Sequence, residues 1–266
     1  MLFVIDVGNT NTVLGVFRPA KDGKRSRDDL AAHWRVSTNR VQMADEYGVL
    51  FRNLFAMADL DIASVNGIVV SSVVPPLDAT VREVCERYFN CHAFFVEPGV
   101  KTGMPVLYEN PAEVGADRIV NSVAAFEQYG GPCIIVDFGT ATTFDAVSAK
   151  GEYLGGLIAP GIGISADALF QRAARLPRVE IRKPPRVIGT NTIGSIQAGL
   201  FYGYLGLIDG ILERMLPELG DQTKVIATGG LGSVFGSSSR HIAFVDDLLT
   251  LEGLRIIWER NRKSNK

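Results

Sequence analysis

The stretch LFVIDVGNTNTVLGVF, residues 2–17, decides the fold, because its key residues return at residues 133–147 as CIIVDFGTATTFDAV. Each copy opens with the apolar run of a buried strand, Leu2 to Ile5 or Ile134 to Val136, and delivers one carboxylate, Asp6 or Asp137. A glycine follows two residues on. Gly8 and Gly139 have no Cβ, so backbone amides there can approach an anion, and the hydroxyls of Thr10, Thr12, Thr140, Thr142 and Thr143 add donors. Superposing Asp6 on Asp137 matches Gly8 to Gly139 and Thr12 to Thr143, at an offset of 131 in a chain of 266 residues. One such turn alone reads equally well as an ordinary hairpin. Two at an offset of about half the chain predict an internal duplication, with two α/β halves presenting their Asp-x-Gly turns to one shared cleft.

Composition bounds the rest. With 47% hydrophobic residues the chain can build a full core, as one large α/β domain or two smaller ones, and the duplication favours two, residues 1–114 and 115–266. A net charge of −2 gives no basic excess for nucleic acid. Three cysteines, Cys85, Cys91 and Cys133, without a C-x-x-C pair fit reduced thiols rather than a disulfide or zinc framework, and Cys133 reads as core. The sequence enters a strand at once and has no apolar stretch of membrane-spanning length, so the expected compartment is the cytoplasm.

Along the chain, residues 13–17 and 31–37 read as strands on either side of a polar loop, 18–29, taken as a solvated hairpin tip. Residues 45–58 predict an amphipathic helix with Val49, Leu50, Leu54, Phe55 and Met57 as its apolar positions. A buried strand from Gly67 runs to a proline stop, a helix follows over 77–88, and 93–96 is a short strand. Residues 97–110, with glycine, proline and an isolated Tyr108, read as a functional loop between the halves. The second half predicts a helix over 116–129, a strand over 153–158, a helix to about Arg175, an irregular basic connection over 177–185, a long helix over 192–216, a strand over 224–228 and a closing helix over 248–260. Gly194, Gly199, Gly203, Gly206 and Gly210 in the long helix suggest close packing, including across a dimer interface. Hairpin strands first and helices afterwards fit a ribonuclease H-like half used twice.

The chain has neither a G-x-x-x-x-G-K-[ST] phosphate loop nor a strand-linked G-x-G-x-x-G fingerprint, so phosphate recognition falls to the Asp-x-Gly turns. Phosphoryl transfer needs clustered donors, cations to spread charge and an acceptor hydroxyl held in line. Gly8, Asn9, Thr10, Asn11 and Thr12 supply the donors. Asp6 would repel a phosphate in direct contact, so it reads as a holder of Mg²⁺ or of a water in its shell, or as a cap on turn amides; the same choice applies to Asp137. Gly115-Ala-Asp-Arg118 places an acid and a base at the head of a helix, about a quarter-turn apart. Asp117 could orient a hydroxyl, kept ionised by Arg118, which could itself bind a carboxylate or phosphoryl group; alternatively Asp117 answers the helix dipole and Arg118 is structural. His33, His92 and His241 lie singly, without metal-ligand spacing, and no Ser-His-Asp or nucleophile-elbow pattern supports hydrolase chemistry.

Taken together, D-V-G-N-T-N-T at Asp6–Thr12, E-N-P at Glu109–Pro111, G-A-D-R at Gly115–Arg118, D-F-G-T-A-T-T at Asp137–Thr143 and N-T at Asn191–Thr192 resemble type III pantothenate kinase, within the superfamily of acetate and sugar kinases, heat-shock chaperones and actin. The resemblance implies an α/β fold of two duplicated ribonuclease H-like, actin-like ATPase domains around an interdomain cleft. It implies ATP-dependent phosphorylation of the primary hydroxyl of pantothenate, the first step of coenzyme A synthesis, with Mg²⁺ as the nucleotide's metal. By the same resemblance Asp6, Val7, Gly8, Asn9, Thr10, Asn11, Thr12 and Val13 form the ATP phosphate segment and Thr140 a second ATP contact. Asp117 is then the proton acceptor; Tyr108, Gly115, Ala116, Asp117, Arg118 and Thr192 hold pantothenate; and Asp137 binds a potassium or ammonium ion. Members are homodimers, without nucleic-acid or membrane partners. Two other functions share the scaffold: a non-catalytic ATP-binding regulator, and a polyphosphate or guanosine-phosphate phosphatase, which would need a water-directing carboxylate and a basic channel.

Overall fold

The structure, a computed structural model, describes residues 1–19, 25–173 and 175–262. In chain order it has strands β1 (Leu2–Val7), β2 (Asn11–Phe17) and β3 (Leu30–Ser37), helix α1 (Ala44–Met57), strand β4 (Gly67–Ser72), helix α2 (Pro75–Phe89), strand β5 (Ala93–Phe95) and helix α3 (Ala116–Tyr129). Then follow β6 (Cys133–Phe138), β7 (Ala141–Val147), β8 (Tyr153–Pro160), α4 (Ile162–Arg172), α5 (Thr192–Leu219), β9 (Lys224–Gly229), α6 (Gly232–Gly236), β10 (Phe244–Val245) and α7 (Leu249–Arg262). The tip of the predicted 18–29 loop lies outside the described residues, as does position 174. The helix expected to reach Arg175 ends at Arg172, where Ala173 turns extended. Among the described residues no helix is long and apolar enough to cross a membrane.

Two five-stranded sheets form, in the orders β3-β2-β1-β4-β5 and β8-β7-β6-β9-β10. They are the same sheet made twice. In each, the first two pairings are antiparallel and the last two parallel. Even the irregularity recurs, since the register slips between Val16 and Phe17 in β2 and between Ala146 and Val147 in β7. The duplicated ribonuclease H-like fold expected from the two turns is therefore present strand for strand.

Contacts group the chain into two compact units that do not divide between residues 114 and 115. The first holds Met1–Met104, Glu109–Ala124 and the segment from Leu249; the second holds Pro105–Tyr108 and Ala125–Leu248. Side chains show why the C-terminal helix joins the first sheet. Arg25 donates to Glu259 at 2.6 Å, both buried, and Thr250 Oγ1 donates to Asn121 Oδ1 at 2.7 Å.

β1 is buried on both faces, so its sequence is continuously apolar instead of alternating. Phe3, Ile5 and Val7 join Tyr47, Phe51 and Phe55 of α1 and Leu77, Val81 and Val84 of α2 in one core. Phe3 sits at the centre, its ring 5.6 Å from Phe51, 5.2 Å from Phe55 and 5.2 Å from Phe89. The face of α1 is therefore Tyr47, Phe51 and Phe55, spaced by four, with Leu50 and Leu54 flanking. Val49 and Met57, predicted on that face, are 57% and 83% exposed. The aromatic side chains have the greater area to bury against Phe3, and they set the helix rotation.

The second core is built likewise from Ile134, Val136, Phe138 and Phe144 against Phe201, Tyr204, Ile208 and Leu212 of α5 and Phe235 of α6. Cys133 is fully buried as read, its thiol pushed up to about 12 by desolvation. The packing expected of the α5 glycines is only partly supplied. Among the described residues, a Cβ on Gly199, Gly203 or Gly206 would meet nothing within 4 Å.

Truncating Phe51→Ala should cost about 3–5 kcal/mol in denaturant unfolding, as deletion of a buried aromatic does. Met57→Ser should stay within about 0.5 kcal/mol of the parent, as an exposed position does.

Candidate functional site

The first turn closes when the Gly8 amide donates to Asn11 O at 3.1 Å. Two threonines brace it from behind. Thr38 Oγ1 donates to Gly8 O at 2.7 Å and lies 2.9 Å from Thr12 Oγ1. The Thr38 proton is thereby spent on Gly8, so Thr12 must be the donor between the hydroxyls. Thr12 is 2% exposed, and both it and the Gly8 amide, expected to face a ligand, are committed inside the turn. That leaves Asn9 and Thr10 exposed at its tip. Asp6, half-buried and one residue from the end of β1, stands opposite Val13 and beside Ser71 of β4.

Asp117 belongs to the same unit and the same end of that sheet. The Val73 amide, just beyond β4, donates to Val7 O at 3.1 Å, and Val73 in turn lies 3.6 Å from where a Cβ on Gly115 would stand. Gly115 precedes α3, accepting from the Arg118 amide at 3.1 Å. A Cβ there would come within 2.7 Å of Asp117 Oδ1, so the glycine is the space into which the carboxylate folds back. Oδ1 accepts the Arg118 amide at 2.8 Å, the helix-start role. Burial raises the Asp117 pKa, opposed by that hydrogen bond and by the Arg118 charge. Arg118 acts in the expected direction, favouring the ionised form of Asp117, but desolvation is the larger effect and the net shift is upward.

The second turn is one residue shorter. Gly139 donates to Ala141 O at 3.1 Å, two positions on, where Gly8 reaches three. Asp137 consequently pairs with Thr143, while Asp6 pairs with Val13. The counterpart of Thr12 is thus Thr142, also buried at 1%, and not Thr143 as the sequence offset implied. The shorter turn changes the matching offset along these strands from 131 to 142 − 12 = 130. Thr143 now stands across from Asp137 and its hydroxyl donates to buried Asp145 at 3.2 Å. Gly229, at φ +86°, gives Asp137 room, since a Cβ would lie 2.4 Å from Oδ1. Thr140 is exposed, and its carbonyl accepts the Gly161 amide at 3.1 Å.

Tyr108 lies in the second unit, where residues 105–108 run along β8: Leu107 N donates to Tyr153 O and Tyr153 N to Pro105 O, both at 2.8 Å. Its ring is 6.4 Å from that of Tyr153, whose hydroxyl donates to Asp145 at 2.8 Å. Thr192 is placed elsewhere, as the exposed first residue of α5, with Asn191 capping the helix by accepting from Gly194 N at 2.8 Å. It lines an open cavity of about 800 Å³ together with Leu169, Leu176, Ser195 and Ile196. The structure so unites Asp6–Val13 with Gly115–Arg118, and separately Asp137 with Thr140. Sequence reasoning missed Thr38, Arg40, Asp145 and Gly229. Only Gly229, ending a strand run, carried a local signal.

A family model described as type III pantothenate kinase matches residues 2–214. The type III pantothenate kinase of Koribacter versatilis is 68% identical over 268 residues, covering 100% of this chain and 98% of its own. That of Acidobacterium capsulatum is 56% identical over 266 residues, covering 100% and 97%. Among solved structures, the activator of the 2-hydroxyisocaproyl-CoA dehydratase from Clostridium difficile with bound ADPNP superposes with a TM-score of 0.54 at 12% identity, over 99% of this chain and 96% of that one, a likeness of fold.

Asp117 gives a signed stability test. Its folded pKa is raised above the ordinary 3.8, so the folded state favours the protonated form, and stability falls as pH rises from there through the folded value. Asp117→Asn should therefore melt higher than the parent at pH 7, with the gap closing toward pH 4. Equal melting temperatures at pH 7 would contradict a half-buried, charge-disfavouring site.

Proposed function

This chain belongs to the type III pantothenate kinase family, its reaction is the ATP-dependent phosphorylation of pantothenate in coenzyme A synthesis, and on that premise we propose how its residues divide the work. The observation that carries the assignment is the Asp117 carboxylate folded over Gly115, at the same sheet end as the first hairpin turn. Asp6 to Val13 hold the ATP phosphates, with contact made by the tip residues Asn9 and Thr10 and with Thr12 bracing from behind. Thr140 makes a second nucleotide contact. Residues 1–114 and 115–266 are the two ribonuclease H-like domains, each contributing one of these turns.

Asp117 accepts a hydrogen bond from the primary hydroxyl of pantothenate and aims its oxygen at the γ-phosphorus. The transition state is loose, so orientation contributes more than early proton removal. A raised pKa also brings the carboxylate nearer the working pH, where it is the better acceptor once the hydroxyl acidifies. Arg118, with Gly115, Ala116, Tyr108 and Thr192, holds the substrate. Asp6 would hold Mg²⁺ or a water of its shell, and the metal would offset charge on the phosphates. Asp137, across from the Thr143 hydroxyl and with the space Gly229 leaves, holds a potassium or ammonium ion. The exposed face of α5 at Gly199, Gly203 and Gly206 supports a homodimer, and the enzyme works in the cytoplasm.

Asp117→Asn should lower kcat by about 10²–10⁴-fold while ATP still binds, the range typical of a lost general base; unchanged turnover would remove Asp117 from the reaction. The wild-type kcat should fall on acidification, with a midpoint above the ordinary carboxyl value. Replacing potassium by sodium should cost activity, and Asp137→Asn should abolish the difference between the two salts.

A further inference from the structure

The first turn, read as the ATP phosphate segment, offers the nucleotide only neutral groups over residues 8–12. Residues 8–12 are glycine, asparagine and threonine, without a lysine or arginine. Phosphoryl-transfer sites elsewhere set a lysine or arginine at the transferring phosphate in addition to their metal, because charge spreads over three oxygens as the bond breaks. A cation must reach this turn from another part of the chain.

The loop between β3 and α1 brings one. Arg40 Nη2 donates to Asn9 Oδ1 at 2.7 Å, at the exposed tip of the turn. Four other arginines of the same unit contrast with it. Arg25 is paired with Glu259 at 2.6 Å, Arg82 with Glu97 at 2.6 Å, Arg87 with Asp45 at 2.9 Å and Arg255 with Glu252 at 2.9 Å. Among the described residues no carboxylate pairs with Arg40, and its partner is a neutral amide.

The segment that carries Arg40 is fixed on both sides. Thr38 N donates to Thr10 O at 2.9 Å and Thr38 Oγ1 to Gly8 O at 2.7 Å, so the loop and the turn are one hydrogen-bonded piece. Asn39 Oδ1 accepts from Val41 N at 3.2 Å, while Asn39 O accepts from Gln42 N at 3.2 Å and from the Tyr47 hydroxyl at 3.3 Å. Tyr47 is itself 2% exposed in the aromatic core. The guanidinium is therefore carried on a braced loop, with one of its five donors on Asn9 and the group exposed.

We infer that Arg40 is a further nucleotide-binding residue, whose guanidinium fork engages the terminal phosphates of the triphosphate held at the first turn. The inference rests on that turn being the ATP phosphate segment. Asn9 positions the fork, and the planar donors suit two phosphate oxygens at once. The competing role is a clasp that merely ties loop to turn.

The two roles separate by phosphate number. In the full chain with Mg²⁺, Arg40→Gln should weaken ATP and ADP binding by tenfold or more, change AMP binding by less than twofold, and raise KM for ATP without raising KM for pantothenate. Arg40→Lys, which keeps the charge and loses the fork, should fall between, and it gives the same reading should Arg40→Gln fail to fold. Equal losses for ATP and AMP, or none for ATP, would overturn the inference. Wild-type protein that bound ATP through Arg40 without phosphorylating pantothenate would support this role and overturn the functional reading.

Discussion

The pairing of Asp6 with Val13, and of Asp137 with Thr143, governs more of this molecule than any other feature. Each central strand lies between an antiparallel neighbour and a parallel one, so its ends are held from both sides and its carboxylate is delivered at one fixed height. Below the carboxylate, alternate residues are locked into cores by Phe3 and its aromatic neighbours or by Phe138, Phe201 and Phe235. Slipping either register by one residue would bring core side chains to the site face. Burial of the aromatic residues therefore pins the position of the reactive end.

The same fold, used twice, yields two unlike turns. Opposite Asp137 stands the Thr143 hydroxyl, bonded to Asp145, where the matching positions of the first unit are Val13 and Gly15. The first turn consequently keeps an apolar neighbour by its acid and projects Asn9 and Thr10; the second gains an oxygen-rich surround. The two frames are equivalent, and different residues at matching strand positions make their chemistry differ.

Around both acids, glycine acts as allotted space. Gly115 leaves the volume occupied by Asp117 Oδ1, and Gly229 leaves that beside Asp137 Oδ1. In the first case the vacancy lets a carboxylate fold back into a desolvated niche, and desolvation outweighs the neighbouring arginine in setting its proton affinity. G-A-D-R is thus one device, in which the glycine makes the acid's environment possible.

Local pattern carried the sheets, most helix limits and the identity of the acids into the sequence, because apolar runs, Asp-x-Gly turns and G-A-D-R are each written within a few consecutive residues. The rotation of α1 was not legible there: Val49 and Met57 are as hydrophobic as the face requires, and only the three-dimensional position of Phe3 selects Tyr47, Phe51 and Phe55 instead. Nor were Thr38 and Arg40, which lie some 30 residues from the turn they brace and meet it through β3 pairing. The sequence by itself determined two ribonuclease H-like frames and the residue types at their ends. Tertiary structure decided which strand position stands across from each acid, how far Asp117 is desolvated and which distant side chains complete the turn, since these depend on register and packing between segments that no short window contains.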